Sequence, residues 1–187
     1  MIAESTVPKE LELACARLGI LPTEFIFAAS IATQTVSVFE RDGDQSTELN
    51  FSNYKLFKKY ACSNSRFGIG EIAGSNMTPR GLHRIAEKIG EGCPVGTVFK
   101  ERKIVGYMLE GYPEALITTR IIWLEGLEPG FNRGGNVDSH DRYIYIHGTG
   151  DESTLGRPAS HGCVHLAAED LIPLYDLLPS GTLVWIG

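Results

Sequence analysis

Residues 142–165 read RYIYIHGTGDESTLGRPASHGCVH. The first part of this segment alternates ring-bearing side chains with isoleucines, in the order Tyr143, Ile144, Tyr145, Ile146 and His147. A period of two residues predicts a strand over residues 142–147 whose two faces differ in character. The chain then forms a loop and returns through a cysteine that follows a glycine.

Cys163 and His147 are candidates for a catalytic pair. A thiol needs a base to become the nucleophilic thiolate, and a loop between neighbouring strands can bring these residues together across 16 positions. Gly162 allows the backbone to approach a substrate carbonyl, so that amides around Cys163 face the developing oxyanion. The competing interpretation, a small buried cysteine with surface histidines, fits less well because His161 and His165 also lie close by in sequence.

The same residues also allow a metal site. His161, Cys163 and His165 alternate and would share one face of a strand, with His147 as a fourth ligand, and zinc accepts such ligands. However, no supporting acid lies close in sequence, and the glycine before the cysteine suits an exposed nucleophile better. A zinc-dependent peptidase is therefore an alternative function, while the preferred interpretation has no metal and no cofactor.

Two short motifs resemble a known family. Ile146-His147-Gly148-Thr149 and Ser160-His161-Gly162-Cys163 resemble the signature of the YkuD-type L,D-transpeptidases, in which a histidine precedes a Ser/Thr-His-Gly-Cys motif. Residues 74–81, GSNMTPRG, resemble that family's Thr-Pro-x-Gly turn, and residues 25–40 resemble its opening strand. The resemblance predicts an L,D-transpeptidase-like catalytic domain over residues 25–187, preceded by an N-terminal helical extension over residues 1–24.

The resemblance implies acyl transfer on peptidoglycan stem peptides. It makes Cys163 the nucleophile and His147 the general base, with the Gly148 carbonyl orienting the imidazole. The thiolate attacks the carbonyl between a diamino acid and a terminal D-alanine, releases D-alanine and leaves a thioester. An amine acceptor then gives a cross-link, whereas water gives L,D-carboxypeptidase activity on stem peptides or soluble muropeptides.

The resemblance also implies an oxyanion and substrate-binding set. This set contains His161 and the amides of Gly162 and Cys163, together with Ser160 and His165. His165 is a departure, since the family more usually has Arg or Asn at that position. An inactive peptidoglycan-binding module is the non-enzymatic alternative, but such a module would be expected to lose His147 or Cys163.

Composition restricts the partners and the location of the chain. A formal net charge of -6 and a pI near 5.4 disfavour nucleic acid as a partner. No apolar run approaches the roughly 20 residues of a transmembrane segment. The first residues, MIAES, lack a basic and apolar signal segment, which predicts a cytoplasmic protein, or a periplasmic one if an upstream signal has been removed. Cytoplasmic location would favour trimming of soluble tetrapeptides over cross-linking.

Glycine-rich turns between short apolar runs predict one mainly β domain with two packed sheets and a few peripheral helices. The family resemblance implies that this domain is an L,D-transpeptidase-like β-sandwich. Helices are expected over residues 8–19 and 168–178, with Pro173 tolerated only in a first turn or at a kink. A strand pair or one long strand is expected over residues 25–40, followed by a hairpin turn over residues 41–44. Further strands are expected over residues 56–63, 117–124, 142–147 and 182–186. Residues 81–89 are ambiguous because their apolar spacing fits both a helix and a strand, and a strand is the favoured interpretation.

Several smaller features have two interpretations. Residues 78–81 form either a turn or a substrate contact, and Tyr143 and Tyr145 either line the cleft or pack across strands. Acidic side chains near the motif either bind the amine of a diamino acid or are solvated: Asp138, Asp151 and Glu152. A solvated strand edge is expected for Lys55, Lys58 and Lys59. The four cysteines contain no CxxC pair and are expected as free thiols.

Overall fold

The computed structural model describes residues 6–43, 48–108 and 117–187. Helix α1 spans Lys9–Leu18 and helix α2 spans Ala168–Leu177. The strands are β1 (Phe25–Ser30), β2 (Thr35–Arg41), β3 (Tyr54–Ala61), β4 (Gly81–Ile89), β5 (Thr97–Lys100), β6 (Lys103–Tyr107), β7 (Thr118–Gly126), β8 (Tyr145–Gly148), β9 (Val164–Leu166) and β10 (Leu183–Ile186). The predicted turn over residues 41–44 lies partly outside the described residues.

The strands form one mixed sheet, which confirms the mainly β prediction. Its order is β3-β2-β1-β10-β4-β7-β5-β6, and β8 pairs with β7 while β9 pairs with β8. Beyond β3, Ser63 exchanges two backbone hydrogen bonds with His165 of β9, at 3.1 and 2.9 Å. The two packed layers are therefore parts of one continuous sheet whose ends meet at Ser63 and His165.

The main apolar core joins both ends of this sheet. Phe27 and Val38 from β1 and β2 belong to the same buried cluster as Ile146 and Val164 from β8 and β9. Helix α2 adds further buried side chains, Leu171, Leu174 and Tyr175. Because Ile144, Ile146, Val164 and Leu166 all face this core, the alternate residues of β8 and β9 face away from it.

Helix α1 packs against another face of the sheet. Leu11 and Cys15 are fully buried with Ile26 and Leu82, and the helix ends at Gly19, whose φ of 66° is the left-handed conformation of a glycine cap. Arg17 in its last turn forms an ion pair with Glu128. The N-terminal helix is thus attached to the sheet by apolar contacts and by one charged pair.

Two local predictions need correction. Strand β8 begins at Tyr145 rather than at residue 142, because residues 138–143 form a turn in which the Arg142 amide donates to the Asp138 carbonyl. Tyr143 closes this turn with a φ of 58°, which removes it from the strand. Pro173 lies inside α2, so the first-turn alternative for this proline is wrong, and the kink alternative stays a prediction.

Other local predictions hold. The ambiguous residues 81–89 form strand β4. Lys55 and Lys58 lie on the exposed edge strand β3, where they pair with Asp42 and Asp170. All four cysteines are free thiols. Among the described residues, neither helix has the length and apolar character that crossing a membrane would require.

Candidate active site

The parallel pair β8 and β9 places four chemically active side chains on one face. The register aligns His147 with His165 and Ile146 with Val164. The Tyr145 amide points at the Cys163 sulfur, with N and Sγ 3.4 Å apart. Since side chains alternate along a strand, Tyr145 and His147 share their face with Cys163 and His165, opposite the apolar core.

His147 has a fixed orientation and one available nitrogen. Its Nδ1 lies 2.8 Å from the Gly148 carbonyl oxygen, and because a carbonyl can only accept, Nδ1 carries the proton. Nε2 is then left with a lone pair. The side chain is 2% exposed, and this burial lowers the pKa of His147 to about 4, so the imidazole is neutral near pH 7.

The Cys163 thiol lies between two backbone groups of Tyr143 and Tyr145. Its Sγ is 3.5 Å from the Tyr143 carbonyl oxygen and accepts from the Tyr145 amide. Burial raises the pKa of Cys163 to about 11, while the Tyr145 amide and the charge of Arg142 act in the opposite direction. The resting pair is therefore a neutral thiol beside a neutral imidazole.

Ser160 braces the loop that carries the nucleophile. Its hydroxyl donates to the Cys163 carbonyl at 2.6 Å and accepts from the Gly162 amide at 3.2 Å. Ser160 is fully buried and does not line the pocket at the thiol. The structure thus gives Ser160 and the Gly162 amide partners inside the loop, and their substrate-binding role stays a prediction.

Gly162 is required by its surroundings. Its φ is +123°, and a Cβ at this position would lie 3.3 Å from the carbonyl oxygen of Met77. The loop before Cys163 therefore packs closely against the backbone at Met77. The structure therefore explains this glycine by its contact with the Met77 backbone, and the expected approach to a substrate carbonyl stays a prediction.

His161 is exposed at the entrance of the site. Its Nε2 lies 2.8 Å from Nη2 of Arg66, and because the guanidinium can only donate, Nε2 is the acceptor. The His161 ring also contacts Phe67, with centroids 5.4 Å apart. Sequence reasoning did not identify Arg66, which has no motif to mark it.

His165 is the most unusual of the four histidines in or near the motif. It is 8% exposed, its ring centroid lies 4.6 Å from that of His147, and its Nδ1 is buried without a hydrogen-bond partner among the described residues. Burial, followed by the nearby His147 and His161, lowers the pKa of His165 to about 3. His165 is therefore neutral and packs beside the base.

Arg142 fixes the loop that faces Gly162. Its guanidinium donates to the carbonyl oxygens of Glu71 and Met77, both at 2.7 Å, and of Gly70 at 3.2 Å. Sequence reasoning did not identify this role, since the carbonyl acceptors are about 70 positions away in the chain. Arg142 connects the turn before β8 with the segment that supports the nucleophile loop.

A pocket of about 330 Å³ opens at these residues. Its wall contains the predicted residues Cys163, His147, His161 and His165, the two tyrosines Tyr143 and Tyr145, and also Arg66, Ile117, Thr149, Asp151, Thr154 and Ala159. The structure therefore brings together four of the seven predicted site residues in one cavity. The Gly148 carbonyl bonds to His147 without lining the pocket, and Ser160 and Gly162 do not line it either.

Residues 26–186 match the family model described as the L,D-transpeptidase catalytic domain, YkuD. The chain belongs to this family.

Solved structures share the fold of this L,D-transpeptidase-family domain. An L,D-transpeptidase from Mycobacterium smegmatis is 18% identical with a TM-score of 0.50, and the match covers 88% of this chain and 58% of that chain. Bd1075 from Bdellovibrio bacteriovorus is 17% identical with a TM-score of 0.53, covering 88% and 48% respectively. LdtMt1, an LD transpeptidase in complex with imipenem, is 15% identical with a TM-score of 0.52, covering 88% and 59%.

The L,D-transpeptidase-family chain thus spans about half to three fifths of the length of these solved structures. At these identities the likeness concerns the fold. A comparison with curated proteins gives no match.

The acidic and turn residues near the site of this L,D-transpeptidase domain have mostly structural partners. Asp138 accepts from three backbone amides, and Glu152 accepts from the Ala168 amide at the start of α2. Asp151 differs because it lines the pocket, although it also accepts from the Ser153 amide at 3.1 Å. Thr78 is fully buried and accepts from the Ser65 amide, which supports the turn interpretation of residues 78–81.

The alternative metal site has no geometric support in the described parts of the L,D-transpeptidase domain. Across residues 6–43, 48–108 and 117–187, no three His, Cys, Asp or Glu side chains are arranged to hold a metal ion. His161 is directed to Arg66, and His147 is directed to the Gly148 carbonyl.

Proposed function

We propose that the chain is a cysteine-dependent acyl transferase that cleaves the bond between a diamino acid and a terminal D-alanine in peptidoglycan stem peptides. The observation that carries this proposal is the shared face of β8 and β9, on which Cys163 lies beside a histidine of fixed tautomer. The hydrogen bond from Nδ1 to the Gly148 carbonyl leaves Nε2 of His147 as the proton acceptor. Family membership supports the substrate class.

The first chemical step is attack of the Cys163 sulfur on the scissile carbonyl. The S–H bond turns from the Tyr143 carbonyl toward the imidazole, and Nε2 of His147 takes the proton as the carbon–sulfur bond forms. A base is needed because the thiol, with a pKa of about 11, is protonated near pH 7. The neutral state of His147 supplies that base.

The second step is collapse of the tetrahedral intermediate. The imidazolium returns its proton to the departing amine of D-alanine, the carbon–nitrogen bond breaks, and a thioester on Cys163 remains. The Gly162 amide is already bonded to Ser160, so we assign stabilisation of the oxyanion to the Cys163 amide and to donors of the pocket wall. His161, polarised by Arg66, is a side-chain candidate of that wall.

The acceptor decides the product. An amine of a second stem peptide gives a cross-link, and water gives L,D-carboxypeptidase activity. Asp151 lines the pocket and supplies a carboxylate that can hold the free amine of a diamino acid. A cytoplasmic location stays a prediction, and fractionation of cells with an antibody against the native protein would test it.

The test uses a purified disaccharide tetrapeptide, with products followed by mass spectrometry. Loss of one D-alanine would identify carboxypeptidase activity, and a cross-linked dimer would identify transpeptidation. Cys163→Ala should abolish both, whereas Cys93→Ala is the matched control because Cys93 is also a partly exposed free thiol. Unchanged substrate with the wild-type chain would overturn the proposal, as would full activity of Cys163→Ala.

A further inference from the structure

Arg102 is held over two aromatic rings next to the thiol pocket. Its guanidinium carbon lies 5.0 Å from the centroid of the Trp123 ring and 4.9 Å from that of Tyr143. One of its terminal nitrogens donates to the Tyr145 hydroxyl at 3.4 Å. Tyr143 and Tyr145 line the pocket that contains Cys163, so the guanidinium contacts two residues of that pocket's wall.

The backbone fixes this position. Glu101 and Arg102 have φ values of 49° and 64° and form the two-residue turn between β5 and β6, where Lys100 pairs with Lys103. Trp123 is itself held in place, because its Nε1 donates to the His140 carbonyl at 3.1 Å and its ring stacks on the His140 ring at 4.0 Å. The arginine therefore rests on a rigid aromatic surface.

Arg102 has unused capacity to bind an anion. Among the described residues, no carboxylate lies within ion-pair distance of it, whereas Arg17, Arg80 and Arg84 each have one. A guanidinium carries five N–H donors, and Arg102 makes one hydrogen bond to the described part of the chain. The other arginines at the site are engaged, since Arg66 bonds to His161 and Arg142 to backbone carbonyls.

Arg102 is connected to the thiol through one residue. Tyr145 contacts both groups: its backbone amide donates to Cys163 Sγ, and its hydroxyl accepts from Arg102. In a peptide cleaved before its last residue, the terminal carboxylate is three covalent bonds from the scissile carbonyl carbon. That carboxylate is the anionic group that necessarily accompanies the bond being cleaved.

We propose that Arg102, supported by Trp123 and Tyr143, forms a subsite for the terminal carboxylate of the peptide that Cys163 attacks. The inference rests on the proposed function for its choice of ligand. It makes Arg102 a specificity-determining residue that selects peptides with a free carboxyl terminus over amidated or extended ones. A planar guanidinium suits this task because it binds a carboxylate through two parallel hydrogen bonds.

A binding measurement tests this subsite separately from catalysis. The Cys163→Ala chain is titrated with a disaccharide tetrapeptide ending in D-alanine and with the same compound ending in D-alaninamide. We expect the free acid to bind about 10- to 100-fold more tightly, the range for a charge-assisted hydrogen bond. Adding Arg102→Gln should remove this preference, and Arg102→Lys should retain part of it because the charge remains.

Lys103→Gln in the same background is the matched control. Lys103 is an exposed cation adjacent to Arg102 in the chain, and its removal should leave the preference intact. Equal binding of acid and amide by Cys163→Ala, or an unchanged preference after Arg102→Gln, would overturn the subsite. Weaker binding of both peptides by the same factor would also overturn it, since that result indicates a general structural effect.

Turnover by the chain with intact Cys163 separates the two proposals. If the acid is preferred in binding but neither peptide is cleaved, the subsite stands and the proposed function fails. If both peptides are cleaved with equal kcat/KM and bind equally, the function stands and the subsite fails. In an active enzyme, Arg102→Gln should act mainly through KM for the free acid.

Discussion

The Ser160 hydroxyl lies 2.6 Å from the carbonyl oxygen of Cys163 and also accepts a hydrogen bond from the Gly162 amide. Ser160→Ala would leave both backbone groups without this partner in a buried loop. We expect the free energy of unfolding to fall by about 1–3 kcal/mol and turnover to decrease, with Cys163 still present. Urea denaturation and the tetrapeptide assay measure the two effects. Ser52→Ala, in an exposed loop, is the control, and wild-type values for Ser160→Ala would contradict this role.

Alkylation of Cys163 should reveal a neutral thiol. Because the pKa of Cys163 is about 11, the thiolate fraction and the rate with iodoacetamide should rise about tenfold per pH unit between pH 7 and 10. Peptide mass spectrometry distinguishes this thiol from partly exposed Cys93, and Cys163→Ala defines the background. A rate that is already at its maximum at pH 6 would instead indicate a preformed thiolate–imidazolium pair.

The buried histidines should make the fold sensitive to mild acid. Burial lowers the pKa of His147 and His83 to about 4 each and that of His165 to about 3, from 6.5. Between these values the unfolded chain binds protons that the native chain does not, so stability is complete above about pH 7 and declines as pH falls toward 4. Urea midpoints at pH 7, 6 and 5 measure the slope.

The matched variant for this slope is His83→Gln. His83 lies away from the thiol and is bonded to the Gly81 carbonyl and to the Ser139 hydroxyl. The variant should be less stable at pH 7 because those bonds change, yet its stability should depend less on pH between 7 and 5. Asp138 does not titrate between pH 7 and pH 5, because its pKa is lowered from 3.8 and lies below this range. A slope as steep as that of the wild type would show that His83 does not contribute.

Arg142→Lys should disturb the support of the nucleophile loop. A lysine cannot reproduce the fork that bonds the carbonyls of Glu71 and Met77, and Gly162 packs against Met77. We expect at least a tenfold loss of kcat/KM, since each lost bond to a charged donor costs about 1.5–3 kcal/mol. Hydrogen exchange should also accelerate at the Gly70 and Thr78 amides, which bond within this segment.

Arg133→Gln is the comparison for Arg142→Lys, because Arg133 is an exposed arginine of the neighbouring loop. It should leave both kcat/KM and exchange unchanged. Equal exchange in the wild type and in Arg142→Lys would show that the bonds to residues 70–77 do not hold the loop.

Local sequence patterns predicted most elements of the fold. The spacing of Leu11 and Cys15 and the glycine at position 19 identified α1, and the β-branched run of residues 117–124 identified β7. The strand boundary at Tyr145 was missed because the alternation of Tyr143 with Ile144 continues through a turn. Hydrogen bonds from the amides of residues 142–144 to the carbonyls of residues 138–140 form that turn, and sequence periodicity does not reveal them.

The sequence by itself determined the mainly β class, the two helices, the family resemblance and the pairing of a histidine with a cysteine, because these depend on residue type and short-range spacing. Only the tertiary structure decided that Ser160 and the Gly162 amide are bonded within their loop, and that Arg66, Arg102 and Arg142 bond to His161, Tyr145 and the Glu71 carbonyl. These arginines come from separate segments, and their partners are fixed by how the sheet curves. No local pattern records such contacts, since a guanidinium bonds to whichever carbonyl, ring or imidazole the fold brings within reach.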